Sequence, residues 1–70
     1  MNLYLIHYET REGGHQWAVV EMAATPRAPY DVTWFAVYAV PTASAMMANM
    51  SSDPVSVLKQ WARGGELART

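Results

Sequence analysis

From Asn2 to Glu9 the side chains alternate, with Tyr4, Ile6 and Tyr8 against Leu3, Leu5, His7 and Glu9, the two-residue period of a strand with one well-buried and one mixed face. Thr10-Arg11-Glu12-Gly13-Gly14-His15 follows. Its Gly-Gly pair supplies the positive φ angles of a tight reversal, so the pattern predicts a β-hairpin with its tip near Glu12 to Gly14. The return strand runs from Gln16 to Ala23 or Ala24, with Trp17, Val19, Glu21 and Ala23 on one side and Ala18, Val20 and Met22 on the other. Pro26 and Pro29 then remove backbone donors and bias Thr25 and Ala28 away from helix, so residues 25–31 read as a loop. A third strand is predicted from Val32 to Val40. Val32, Trp34, Ala36, Tyr38 and Val40 lie on one face, and Thr33, Phe35, Val37 and Ala39 on the other. Two apolar faces predict a strand covered on both sides.

Pro41 closes that strand, and the alanine- and methionine-rich stretch Thr42 to Met50 predicts a short helix with Thr42 or Ser44 as N-cap. Ser51-Ser52-Asp53-Pro54 is a stronger helix start, because Ser52 or Asp53 can accept orphan amide bonds and Pro54 fits the first helical position. Val55, Leu58, Trp61 and Ala62 recur at helical spacing, with Lys59, Gln60 and Arg63 off that stripe. Gly64-Gly65 stops the helix, and residues 65–70 read as a frayed tail. The expected architecture is a single α+β domain over residues 1–70. It has a three-stranded antiparallel sheet, β1-β2-β3, followed by one short and one longer C-terminal helix packed on the sheet. One helix pair covers one face only, so the second apolar face of the third strand needs a partner, or a fold back of residues 42–50 as helix or strand.

Composition sharpens this picture. The 70 residues are 51% hydrophobic and 16% charged, against about a quarter charged in an ordinary soluble domain. A chain this short buries only about 60% of its unfolded surface, and with no cysteine it has no disulfide to reinforce its core. The deficit of charge is concentrated in Val32 to Ser52, which carries none. Pro41, Thr42, Ser44 and Asn49 interrupt that run and its first half reads as strand, which argues against a membrane span. Met1 leads directly into an alternating strand without a basic n-region, so no signal peptide is expected and the expected location is the cytoplasm. The formal net charge is -1, with two positives against four negatives through residue 31 and three against two over residues 51–70. That is a mild dipole, too sparse in Lys and Arg for strong nonspecific nucleic-acid binding, so direct contact with nucleic acid is not expected.

Candidate chemistry is thin. With Thr10 set opposite His15, His7 falls opposite Ala18 and the two histidines stand apart, offering no tetrahedral ligand set, so no metal or other cofactor is expected. Met46, Met47 and Met50 at helical spacing form a thioether cluster whose ordinary use is packing or an adaptable binding surface. Ser44, Ser51, Ser52 and Ser56 lie outside any nucleophile motif, and Gly13-Gly14 sits at a hairpin tip and not between a strand and a helix, so no enzymatic activity is expected. Trp17, Trp34 and Trp61 fall one each on the second strand, third strand and last helix, where at least two belong in the core. An exposed member among Tyr4, Tyr8, Tyr30, Trp34 and Tyr38 would mark a partner surface. Lys59, Arg63 and Arg69 form a basic helix face suited to phosphate, to an acidic protein patch or simply to solvent.

In size, in its strand-first opening Met1-Asn2-Leu3-Tyr4-Leu5-Ile6 and in its lack of a catalytic motif, the chain resembles the small inhibitors carried by bacteriophages and mobile elements, including anti-CRISPR proteins. The resemblance implies a non-catalytic module that blocks a host protein or nucleoprotein complex stoichiometrically in the host cytoplasm. Glu9, Glu12, Glu21 and Asp31 would then mimic phosphates against a basic groove, with Tyr30, Trp34, Tyr38, Met46, Met47 and Met50 in the contact surface. A second reading is a small structural protein whose apolar sheet face closes a homodimer or larger homo-oligomer. The third is a nucleic-acid accessory factor using Lys59, Arg63 and Arg69.

Overall fold

A computed structural model describes all 70 residues: β1 (Asn2–Thr10), β2 (His15–Met22), β3 (Val32–Val40), α1 (Thr42–Asn49) and α2 (Pro54–Arg63). The strands form one antiparallel sheet followed by the two helices, the expected α+β class, with spatial order β2-β1-β3. β1 is therefore the central strand. Its Leu5, fully buried, meets Val40, Ala48, Leu58, Ala62 and Leu67 in the core, with Trp17 and Trp61 packed half-buried against it.

The hairpin turn sets which residues meet across β1 and β2. Thr10 N–H donates to Gly14 C=O at 3.1 Å, Gly13 N–H donates to Thr10 C=O at 2.9 Å, and Gly13 has φ +89°. This is a three-residue loop, Arg11-Glu12-Gly13, closed by a glycine in the left-handed region. Thr10 thus faces Gly14 and not His15. The whole register moves by one residue from the expected pairing, giving Glu9 opposite His15 and His7 opposite Trp17. A slip of one residue exchanges faces, so both histidines now lie on the same side of the sheet.

Three further expectations change. α1 has Pro41 at its N-cap with no side-chain cap bond, so neither Thr42 nor Ser44 caps it. Ala48 carries α1 into the core on the same face as α2, so residues 42–50 do not fold back over the second face of β3. That face, with Ile6, Tyr8, Val20 and Phe35, is bordered by the loop after β2, whose Pro26 is buried, and an open groove runs between them. The tail is not frayed. Gly65, at φ +80°, donates to Ala62 C=O at 3.2 Å while Glu66 N–H donates to Trp61 C=O at 2.9 Å, a Schellman stop that turns the chain back toward the sheet. Leu67 then enters the core. Ala39 N–H donates to Ala68 C=O at 2.9 Å and Thr70 N–H to Val37 C=O at 2.8 Å, closing the C-terminal part of the outer edge of β3. At the start of α2, Asp53 is the cap: Ser56 N–H donates to Oδ1 at 3.3 Å and Ser56 Oγ to Oδ2 at 2.6 Å, bonds that hold the Asp53 carboxyl below its usual range.

Gly13→Val should lower stability by about 1–2 kcal/mol, the cost of a branched side chain in the left-handed region. Gly14→Ala should be nearly neutral, since its added carbon would meet nothing closer than 3.8 Å. Urea unfolding of both variants checks this, and equal losses would contradict the turn. Leu67→Ala should cost about 2–4 kcal/mol as a core truncation, a loss that thermal melts would not show for a frayed residue.

Candidate aromatic and cationic surface

The helices pack on the sheet around Leu3, Leu5, Val19 and Val40, with α2 reaching as far as Trp17, and leave His15 and Trp34 at the hairpin end of the same face exposed. There the strand pairings bring His7, Glu9, His15, Trp17 and Trp34 together, because His7 faces Trp17 on one side and Ala36 on the other, while Glu9 faces His15 and Trp34. His7 stacks on Trp17, with ring centroids 3.8 Å apart and planes 11° from parallel, and meets Trp34 edge-on at 4.6 Å. Tyr38 lies parallel to Trp17 at 6.4 Å. Such aromatic contacts contribute about 0.5–1.5 kcal/mol each beyond area burial.

Cations approach both indoles. From α2, Lys59 Nζ and Arg63 Cζ stand 5.7 and 5.8 Å from the Trp17 centroid, and from the tail Arg69 Cζ stands 5.6 Å from Trp34. Arg69 reaches Trp34 because the tail docks: it bridges Tyr38 on β3. At such exposed sites each cation–π contact contributes about 0.5–1 kcal/mol, enough to orient a side chain and too little to hold the fold.

A hydrogen-bonded chain crosses the same surface. Thr33, the extra residue of an irregularity where Thr10 pairs with Val32, donates from Oγ1 to Glu9 Oε1 at 3.0 Å. Glu9 Oε2 lies 3.0 Å from His15 Nε2, and His15 Nδ1 lies 3.2 Å from His7 Nε2. A carboxylate only accepts, so His15 Nε2 carries a proton. Neutral His15 then accepts at Nδ1 from His7 Nε2–H, and a second proton on His15 reverses that bond. Burial, then the nearby His15, Arg63 and Lys59, lower the pKa of His7, so the ring stacked on Trp17 stays neutral at pH 7.

Both nitrogens of His15 and Nε2 of His7 are engaged within this chain, and no hydroxyl donates to either ring. The nucleophile–base contact of covalent catalysis is thus missing from the surface. Glu9 occupies the nitrogen of His15 that faces away from His7, so the three groups do not converge on one point as metal ligands do.

The other sequence candidates scatter. Glu21 lies six positions along β2 from His15, the partner of Glu9, which is roughly 20 Å. Glu12 is exposed at the hairpin tip, and Asp31 lines the groove on the opposite sheet face beside Arg27. The four carboxylates therefore form no single acidic patch. Tyr30 is 93% exposed but stands alone on its loop, whereas Trp34, 39% exposed, belongs to the cluster. Met46 and Met47 on α1 and Met50 at its C-cap face solvent and do not fill the core. The strand pattern alone does not show the convergence of His7 and His15. The signal that finds it is Gly13, whose left-handed φ implies the three-residue turn.

The lowered pKa of His7 makes stability depend on pH. Below the usual histidine value near 6.5, the unfolded chain takes up the proton before the folded chain does. Stability should therefore fall as pH drops from about 6.5, until His7 in the folded chain is protonated as well. Melting midpoints of wild type and His7→Phe check this: phenylalanine keeps the stack on Trp17 but cannot titrate, so its profile should be flatter over that range.

Comparison of the chain with protein-family models, with curated proteins and with solved structures yields no match, so its function is read from its own residues.

Proposed function

We propose that this chain is a non-catalytic protein-binding module that acts stoichiometrically, as an inhibitor occupying the surface of a host protein or nucleoprotein complex. The observation that supports this reading is the partly open end of the helix-bearing face, where Trp17 and Trp34 are each approached by cations and joined by His7. Tryptophan and arginine are the residue types that dominate binding hot spots, and they are preassembled here by backbone pairing. The charge of Lys59, Arg63 and Arg69 favours an acidic protein surface as the partner. Phosphate mimicry by Glu9, Glu12, Glu21 and Asp31 is not part of this reading, because those side chains are dispersed over both faces and both ends of the sheet.

The same cations beside indoles suit a single-stranded nucleic acid, which would stack on Trp34. Three cations limit the counterions released, so the logarithm of affinity would fall with that of salt at a slope of at most about 2. That is a weak electrostatic contribution for nonspecific binding. The half-burial of Trp17 under His7 leaves Trp34 as the principal stacking platform.

Immobilised wild-type protein should retain a host protein that Trp34→Ala/Arg69→Ala does not, in a one-to-one complex by calorimetry with the partner so identified. Each substitution should weaken binding by about 2 kcal/mol or more, the loss that marks a hot spot. Retention unaffected by both substitutions would refute this surface, and retention abolished by nuclease treatment would favour the nucleic-acid reading.

A further inference from the structure

We propose that the exposed edge of β2 pairs with β2 of a second copy of this chain, in one register with its two-fold axis through Ala18. The two edges of the sheet are treated differently. The C-terminal part of the β3 edge is closed by the tail through Ala39, Ala68, Val37 and Thr70, whereas β2 hydrogen-bonds only to β1 along its whole length. Its eight residues, His15–Met22, contain no proline, glycine, lysine or arginine, and the β1–β2 register runs without a bulge. Edge strands that stay solitary usually carry such guards.

The turn decides which groups point outward. Thr10 and Gly14 form a hydrogen-bonded pair, so pairing alternates along the strands, and Gln16, Ala18, Val20 and Met22 turn their backbone groups toward β1. The N–H and C=O groups of His15, Trp17, Val19 and Glu21 therefore face away from the sheet. An antiparallel second copy centred on Ala18 sets His15 opposite the other Glu21, and Trp17 opposite the other Val19, at every outward position. Those pairs supply about eight backbone hydrogen bonds. Shifting the axis to Trp17 or Val19 leaves an end unpaired. The centred register also sets Glu21, the one formally charged side chain of the strand, opposite His15 and at the far end from the other Glu21, so a second copy pairs every outward backbone group with no like charges opposed.

The product is a continuous sheet of two copies, β3-β1-β2-β2-β1-β3. Its two-fold axis is perpendicular to the sheet, so both sets of helices and both Trp34 surfaces lie on one side. The partly open apolar residues Ile6, Ala18, Val20 and Phe35 of the two copies then form one surface on the other side. Edge pairing leaves Trp34 and Arg69 free, so it stands or falls independently of the binding surface proposed above.

The chain has no cysteine, so single cysteines report the register directly. The centred axis puts Ala18 opposite itself in a non-hydrogen-bonded pair, with Cα atoms about 4.5 Å apart, inside disulfide range. Under mild oxidation Ala18→Cys should form a disulfide-linked dimer. Gln16→Cys and Val20→Cys should link readily only when mixed with each other, since each faces the other. Sedimentation of wild type should give twice the monomer mass at concentrations where Val19→Pro, which removes an outward N–H and no bond to β1, gives the monomer. A monomeric wild type up to about 1 mM, a range that reaches even weak association, overturns the proposal. So does a dimer in which Gln16→Cys or Met22→Cys alone links as fast as Ala18→Cys. The cross-linking result stands even where Val19→Pro fails to fold.

Discussion

The gathering of His7, Glu9, His15 and Trp17 on the helix-bearing face depends on the left-handed backbone at Gly13. A loop of three residues closed by that glycine pairs Thr10 with Gly14, and the strict alternation of a strand carries the choice along all of β1 and β2. His7, Glu9, His15 and Trp17 share one face because of it. The next pairing along would send His15 and Trp17 to the opposite face, separating them from His7. The hydrogen-bonded chain from Thr33 through Glu9 and His15 to His7 is thus a consequence of turn geometry before it is a matter of side-chain affinity. An exposed ion pair such as Glu9–His15 contributes only about 0–1 kcal/mol, too little to choose a register by itself.

The second constraint is the small size of the core. Few side chains are fully enclosed, and Leu5 on the central strand joins contributions from β3, both helices and the tail. α1 joins the core through alanine, with Ala48 fully buried and Ala45 packed beside it, while its methionines remain outside. The tail completes the arrangement. The glycine stop after α2 redirects the chain so that Leu67 plugs the core, Ala68 and Thr70 bond the edge of β3, and Arg69 comes over Trp34. Stability and the aromatic surface are therefore coupled through the last residues of the chain.

Much of this architecture was legible along the sequence, and particular residues show why. The alternation of Leu3, Leu5 and His7, the Asp53-Pro54 helix start and the Gly64-Gly65 stop each rest on local backbone preferences that act within a few residues. The α+β class follows from their order. The candidate surface was much less visible. Lys59, Arg63 and Arg69 read as a basic helix face, and at least two of the three tryptophans as core, because nothing local says that a cation from α2 will stand over an indole from β2. The low charge of residues 32–52 was traced to a strand with two apolar faces, and the structure divides its coverage between helices on one side and a proline-bearing loop on the other.

The sequence by itself determined the order of three strands and two helices and placed their ends to within a residue or two, since dihedral preferences and turn residues act close to each site. Only the tertiary structure decided that β1 is the central strand, that the hairpin pairs Thr10 with Gly14, that residues 66–70 dock, and that the second sheet face keeps an open groove. These choices are made by packing between segments far apart in the chain, where Leu5, Ala48, Leu58 and Leu67 must meet in one volume. Side-chain pattern limits such meetings without selecting among them. The selection comes from filling the core and pairing the backbone at the same time.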